Sequence, residues 1–429
     1  MSYRPHYHFA PPFGWMNDPN GLCQLDGVYH LFYQYHPFGV EWDDMHWGHA
    51  TSTDLIHWEN KPIALRPDQD YDRDGVFSGS ALVKDGVLHL FYTGNTWLDE
   101  KKEALHQVQC LATSMDGKVF KKDDRNPLIS EIPRRGSAHV RDPKVWEKDE
   151  RFYMILGTRD EADGKVILYE SDDALHWIER GVIAGETGRH GWMWECPDIF
   201  SLDGQDILLL SPQGMEPDDD RYHNLHQCGY FVGTLDLDAP RFNHGAFTEL
   251  DYGHDFYAAQ TFCDERGRRI LIGWNAMWES ACPEQTEGWA NQMTLPRELT
   301  LREGHLYMTP IEEVNKLRKT SRILDNRDFF GDAFELSFET DGDFQFECFG
   351  ENAIFSKTGQ ILKLYRSHSP LDIRRLEAEG ISFRIFVDRS SIEVFINEGE
   401  FVFSSRVYGQ QSFKHRLSGN IINPILHQY

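Results

Sequence analysis

The chain is poor in basic residues and cysteine and has no long apolar run. Lys and Arg number 43 against 69 Asp and Glu, a net charge of −26. Such an excess repels phosphate backbones and anionic lipid, so nucleic acid and membrane surfaces are excluded as partners. The seven cysteines, Cys23, Cys110, Cys196, Cys228, Cys263, Cys282 and Cys348, are odd in number and contain no Cys-x-x-Cys pair. Neither a disulfide framework nor a zinc site is favoured. No stretch of about 18 apolar residues is present to cross a bilayer. The first eight residues lack the apolar core of a secretory signal, and no Asn-x-Ser/Thr sequon occurs. Together these absences set the expectation of a cytoplasmic protein. What remains is a chain of 429 residues with 13% aromatics, enough for two or three domains with a sizeable core.

A repeat emerges when aromatic-aliphatic runs are aligned behind turn signals. Runs beginning at Gly27, Gly86, Glu150, Gly204 and Gly267 recur at intervals of 54–64 residues. Each is short and bounded by turn residues, as in Asp26-Gly27, Asp85-Gly86 and Asp203-Gly204, and so predicts a β-hairpin. A second motif follows in several units: Ser52-Thr53-Asp54, Ser114-Met115-Asp116 and Ser171-Asp172-Asp173, each leading toward an aromatic outer strand. Five units of several strands predict a five-bladed β-propeller over residues 1–310. A large sandwich with accidental spacing is the alternative, but it does not explain two sub-motifs recurring in one order.

After Pro310, Ile311-Glu312-Glu313-Val314-Asn315-Lys316-Leu317 has helical apolar spacing and predicts a linker helix over 311–324. From Asp325 to Tyr429 short alternating strands predict a β-sandwich. Its outward charges look ordinary, so the sandwich is expected to stabilise the propeller. Its strand edges leave monomer and homodimer both open.

In a propeller the innermost strands line a central funnel. Nine residues before each hairpin turn stand Asp18, Phe77, Arg141, Glu195 and Ala258, with Asp142 beside Arg141. Three carboxylates thus take equivalent places in three units. Asp-Pro and Asn-Gly are turn dipeptides, so Asp18 is expected at a strand end. Capping a turn would account for one such acid but not for the coincidence of three.

Glycoside hydrolysis needs a carboxylate that attacks or activates water and a carboxylic acid that protonates the leaving oxygen. Asp18 beside its proline suits a positioned nucleophile. Glu195, within Trp192-Met193-Trp194-Glu195, is expected to have a raised pKa by desolvation. Asp142, next to Arg141, is expected to stay ionised and to stabilise developing positive charge. His46, His49 and His57 lack a metal-binding spacing, so no metal or cofactor is expected.

The blocks Trp15-Met16-Asn17-Asp18-Pro19-Asn20-Gly21, Phe77-Ser78-Gly79-Ser80, Arg141-Asp142-Pro143-Lys144 and Glu195-Cys196-Pro197-Asp198 occur in that order. They resemble the signatures of the β-fructosidases of glycoside hydrolase family 32, the invertase family. Val387-Asp388-Arg389-Ser390-Ser391-Ile392-Glu393-Val394-Phe395 resembles the family's sandwich signature. The resemblance spans nearly the whole chain, although the region after Asp325 is shorter than usual, which puts the sandwich edges in question. It implies a retaining mechanism through a fructosyl-enzyme, with Asp18 as nucleophile, Glu195 as acid/base and Asp142 as transition-state stabiliser. The substrate positions it implies are Trp15, Asn17, Gln34, Trp42, Phe77, Ser78, Arg141 and Trp274.

The expected reaction is hydrolysis of sucrose to glucose and fructose. Sucrose 6-phosphate and fructan oligomers are the competing substrates, and a non-catalytic sugar-binding propeller is the competing class. A phosphate pocket needs Arg or Lys at the funnel rim. The stretch Cys282–Trp289 is acidic without a basic residue, which argues for the neutral sugar. Arg66, Arg73, Arg134 and Arg135 are the candidates if a phosphate is taken.

Overall fold

The computed structural model describes residues 2–160, 163–185, 190–367, 373–408 and 413–429. Residues up to Pro310 form five antiparallel sheets in chain order. Their first strands are Gly14–Leu25, Val76–Lys84, Val140–Lys148, Met193–Leu202 and Tyr257–Cys263. Each of these packs against the next and the fifth returns to the first, so they form a closed ring around an axis. A short strand, Trp289–Ala290, pairs parallel with Gly14–Trp15 at the closure.

Local chemistry explains the hairpins. Leu25 pairs with Val28, Lys84 with Val87, Lys148 with Arg151 and Leu202 with Gln205, leaving two-residue turns. Both turn residues have positive φ in each: Asp26 and Gly27, Asp85 and Gly86, Asp149 and Glu150, Asp203 and Gly204. That is the turn geometry whose twist matches paired strands, and Asp with Gly adopts it at least cost. The fifth turn, between Cys263 and Arg269, is longer and is held by Asp264 accepting from the Arg266 and Arg268 amides. The Ser-x-Asp motif is a second local device. Asp54, Asp116 and Asp173 each bond the serine hydroxyl two residues earlier and two amides two and three residues later. This turns the chain toward each fourth strand.

The C-terminal part is a sandwich of two six-stranded sheets. Its core is largely phenylalanine, with Phe334, Phe338, Phe344, Phe346, Phe355 and Phe383 among the buried rings. The predicted linker helix is corrected in extent. Only Glu312–Leu317 is helical, as a 3-10 turn, and Thr320–Ile323 is already an edge strand paired with Ile422–Gln428.

The sandwich charges expected to be ordinary are not. Asp388 and Glu393 are fully buried where the two domains meet. Asp388 accepts from the amides of His6, Tyr7 and His8, and the His8 ring bridges Asp388 and Glu393 at 3.0 and 2.8 Å. Arg297 reaches Glu393 at 2.7 Å and Asp251 at 3.0 Å. Phe386, Phe395 and Val402 of the sandwich join the same apolar cluster as Leu250, Phe256, Met308 and Val314. The N-terminal segment is therefore a strap across the domain joint.

Candidate active site

Every inner strand carries a bulge at the same height. Pairing slips between Met16 and Pro19, Phe77 and Gly79, Glu195 and Asp198, and Tyr257 and Gln260; opposite Arg141 it slips between Ile155 and Gly157. Asp142, Cys196 and Ala258 take positive φ there. A bulge re-aims a side chain without ending the strand. Asp18 accordingly lies in mid-strand, not at a strand end. Pro19 is tolerated because the innermost strand has one unpaired edge.

The bulges gather Asp18, Asp142 and Glu195 in one cavity of about 310 Å³ at the ring axis. Asp18 accepts from the Ser78 hydroxyl at 2.6 Å and from Asn17 Nδ2 at 3.0 Å. Burial raises its pKa, with the Glu195 charge adding to this against the hydrogen bonds from Ser78 and Asn17. The amide of Cys196 donates to Asp142 Oδ2 at 2.8 Å. Arg141 donates through Nε and Nη2 to Glu195 Oε1 at 3.1 and 2.7 Å. Gln213 and the Tyr257 hydroxyl each donate to Glu195 Oε2 at 2.7 Å.

These bonds reverse the expected electrostatics. Burial pushes Glu195 up, but Arg141 and Tyr257 more than offset it and hold its carboxyl below the ordinary range. Burial lifts Asp142 to about 7, only partly opposed by Arg141 and aided by Glu195. The reason is strand geometry. Side chains alternate across a strand, so the Trp194 ring does not wrap the Glu195 carboxyl. The Trp194 indole instead joins the cluster of Ile199, Leu208 and Phe231 and donates to the His190 carbonyl. Arg141 likewise bonds an acid of the next sheet and not its own neighbour.

Six of the eight expected substrate positions line the cavity: Asn17, Gln34, Trp42, Phe77, Ser78 and Arg141. The other two stand behind the wall. Trp15 donates to Asn17 Oδ1 at 2.9 Å, and Trp274 is fully buried against Trp15, Tyr257 and Trp278. Trp278 takes the surface place, four residues on. Sequence reasoning missed Gln213, Trp278, Gln107, His139, Arg159 and Trp192 as wall residues, and Tyr257 as a partner of Glu195. Tyr257, next to the fifth inner position, was within reach of the repeat; the others follow from loops and second strands that no repeat indexes.

The blocks also carry a structural pair. Lys144 reaches Asp198 at 3.0 Å and donates to the Thr261 carbonyl at 2.6 Å, tying three inner strands together at buried positions. The acidic stretch Cys282–Trp289 is not a funnel rim. Glu284 is fully buried and paired with Arg406 at 3.0 Å, and Glu287 caps the strap at the Ser2 hydroxyl and the Tyr3 amide. Its charge therefore carries no information on substrate.

A ring of small sheets with acids from three of them in one axial cavity defines a glycoside-hydrolase type of site. The chain belongs to glycoside hydrolase family 32: residues 8–310 match the Glycosyl hydrolases family 32 N-terminal domain, and residues 313–419 match the Glycosyl hydrolases family 32 C terminal. It is 42% identical over 433 residues to a sucrose-6-phosphate hydrolase of Escherichia coli, covering 95% of this chain and 90% of that protein. The identity and both coverages are the same for a raffinose invertase of Escherichia coli. A GH32 beta-fructofuranosidase of Bombyx mori, solved as a mutant in complex with sucrose, superposes with a TM-score of 0.91 at 38% identity, over 99% of this chain and 94% of that one.

Proposed function

We propose that this hydrolase is a retaining β-fructofuranosidase that cleaves sucrose at the fructosyl bond. The observation that carries the reading is the convergence of Asp18, Asp142 and Glu195, each held by different donors, in one cavity sized for a small sugar. The sucrose complex of the Bombyx mori relative supports the substrate class.

Asp18 is the nucleophile. Ser78 and Asn17 fix its two oxygens, and a fixed short carboxylate needs little reorganisation to attack the fructosyl carbon. Glu195 is the acid/base. Asp142 and Glu195 lie beside one guanidinium, so their titrations are linked and a proton taken up by one depends on the charge of the other. In the free enzyme Asp142 takes up a proton before Glu195, since burial raises Asp142 and Arg141 favours ionised Glu195. Sugar hydroxyls that donate to Asp142 and draw on Arg141 favour ionised Asp142 and relax the hold on Glu195. The proton then resides on Glu195, where it can pass to the leaving oxygen, and ionised Asp142 faces the developing oxocarbenium charge. Seven unpaired cysteines suit a reducing, cytoplasmic compartment.

Released fructose from the purified protein tests the reaction, and its first-formed anomer tests retention. D18N and E195Q are expected to lose at least about 10⁴-fold in kcat while keeping the wild-type Tm. Unchanged turnover in either variant, or an inverted product, overturns the assignment.

A further inference from the structure

The second sheet meets Arg141 with amides. Its third strand is Leu105–Ser114, and Gln107 and Gln109 lie two apart on it, so they share a face. On the neighbouring strand Asn95 pairs with Gln107 and Thr93 with Gln109. All four side chains are buried. Polar groups in a dry interior are costly unless they are bonded, and these four are bonded to the start of the third sheet's inner strand.

Gln107 Oε1 accepts from the Val140 amide at 3.0 Å and from Arg141 Nη1 at 3.2 Å, while its Nε2 donates to Asn95 Oδ1 at 3.2 Å. Gln109 Nε2 donates to the Val140 carbonyl at 3.0 Å, and its Oε1 accepts from Thr93 Oγ1 at 2.8 Å. Thr93 Oγ1 in turn accepts from the Asp142 amide at 3.1 Å. What the two glutamines meet fixes their orientation, since a guanidinium and a peptide N–H only donate and a carbonyl only accepts. Asp142 has a φ of 64°, which a residue other than glycine keeps only where its surroundings hold it.

Arg141 is thus gripped on two sides: Nε and Nη2 face Glu195, and Nη1 faces Gln107. Titratable groups reach this pair from the other units. Asp18 comes from the first, Asp142, His139 and Arg159 from the third, the Cys196 thiol and His226 from the fourth, and Tyr257 from the fifth. From the second unit Lys102 lines the cavity, and it is engaged by Asp43 at 3.1 Å. A carboxylate is the usual partner of a buried guanidinium. At Nη1 an amide takes that place, in a chain with 69 acids to 43 bases. An amide oxygen holds the guanidinium in position without dividing its charge.

We infer that Gln107 is a positioning residue: its neutral amide fixes Arg141 against Glu195 and leaves the guanidinium charge to the acid/base. This rests on the fructofuranosidase reading and adds to it a residue that acts through Arg141.

The test is the pH profile of kcat/KM for sucrose in wild type, Q107E and Q107L, with turnover of an aryl β-fructofuranoside measured beside it. A glutamate keeps the acceptor for Val140 and Arg141. Asn95 Nδ2, buried without a partner among the described residues, can turn to meet it. Q107E is expected to keep the wild-type Tm and to move the alkaline limb up by about 0.5–1 pH unit, because a second carboxylate divides the Arg141 charge and disfavours ionised Glu195. Q107L removes the acceptor and adds no charge. It is expected to lose at least about tenfold in kcat for sucrose with the limb in place. Its loss on the aryl substrate is expected to be at least about fivefold smaller, since a phenolate leaves without a proton. Q107E carries the test by itself if the leucine variant does not fold. An alkaline limb unmoved in Q107E, wild-type kcat for sucrose in Q107L, or an equal loss on both substrates in folded Q107L overturns the role of Gln107 alone. Release of fructose from neither substrate by the wild type overturns the fructofuranosidase reading instead.

Discussion

Two groups of three buried carboxylates sit in this molecule, and their donors are distributed differently. At the domain joint, Asp251, Asp388 and Glu393 face Arg297 and His8. Asp251 also accepts from the amides of Gly253 and Ser404, Asp388 from four amides including that of Arg389, and Glu393 from the Leu295 amide. The donors hold Asp388 and Glu393 below the ordinary carboxylate range in spite of burial. In the funnel one guanidinium, Arg141, acts on Glu195 and Asp142 while Asp18 relies on Ser78 and Asn17, and burial wins for Asp18 and Asp142. The first group keeps two of its three acids below the ordinary range, with Asp251 raised by burial despite its donors; the second keeps only Glu195 there and is short of donors at Asp142. A deficit of this kind is what a substrate rich in hydroxyls fills, so the same residue type serves as a rivet in one place and as a receptor in the other.

The comparison can be broken at the joint first. Arg297→Met leaves Asp251 and Glu393 facing each other in a dry interior, and a loss of about 3–5 kcal/mol is expected in the unfolding free energy from denaturant titration. A loss under about 1 kcal/mol would mean that water repairs the joint and that the two groups differ less than described.

His8→Gln tests the same group by pH. The two acids lift His8 to about 9 against burial. A raised histidine stabilises fully below its unfolded value of about 6.5, and that stability drains away as pH rises through 9. The variant should therefore lose about 3 kcal/mol at pH 6 and little at pH 10. Equal losses at both pH values would show that the ring acts by shape alone.

Asp142→Asn tests the funnel from the other side. A carboxyl raised to about 7 binds a proton in the folded state that the unfolded chain has released, so it costs stability increasingly from about pH 4 to above pH 7. Activity should vanish while stability rises by about 1–2 kcal/mol at pH 8 and not at pH 4. A variant less stable than wild type at pH 8 would place Asp142 with the riveted acids.

The smallest change is Tyr257→Phe, which removes one donor from Glu195. About 1 kcal/mol of transition-state stabilisation should be lost, roughly fivefold in kcat. The alkaline limb of the pH profile should move up, because Glu195 loses a bond that favours its charged form. A limb that stays in place would mean that Arg141 alone sets the acid.

What the sequence disclosed follows the range of the forces involved. The hairpins and the Ser-x-Asp turns are local, written in residues that bond their own neighbours, and so the repeat and the three acids could be found by counting. The Arg141–Glu195 pair joins residues 54 apart on different sheets, and no spacing announces it. Reading Glu195 from its sequence neighbours failed because the Trp194 ring lies on the other side of the strand and donors from other sheets set the carboxyl. Trp274 and Trp278 have the same chemistry and differ only in which stands at the wall. The charges of the 387–395 block looked exposed because alternation shows that a face is polar, but not that another domain covers it.

The strap across the domain joint has a temporal meaning. The His6 amide bonds Asp388, 382 residues further along the chain. On the ribosome, residues 6–8 therefore emerge long before the acids that hold them, and the whole ring of sheets is synthesised while its clasp is still missing. The joint can be locked only when the second sheet system has been made. A nascent chain stopped near residue 310 would carry the complete axial cavity with its first segment held by Glu287, Trp289 and Met293 and not yet by Asp388, which makes the sandwich the step that completes the joint.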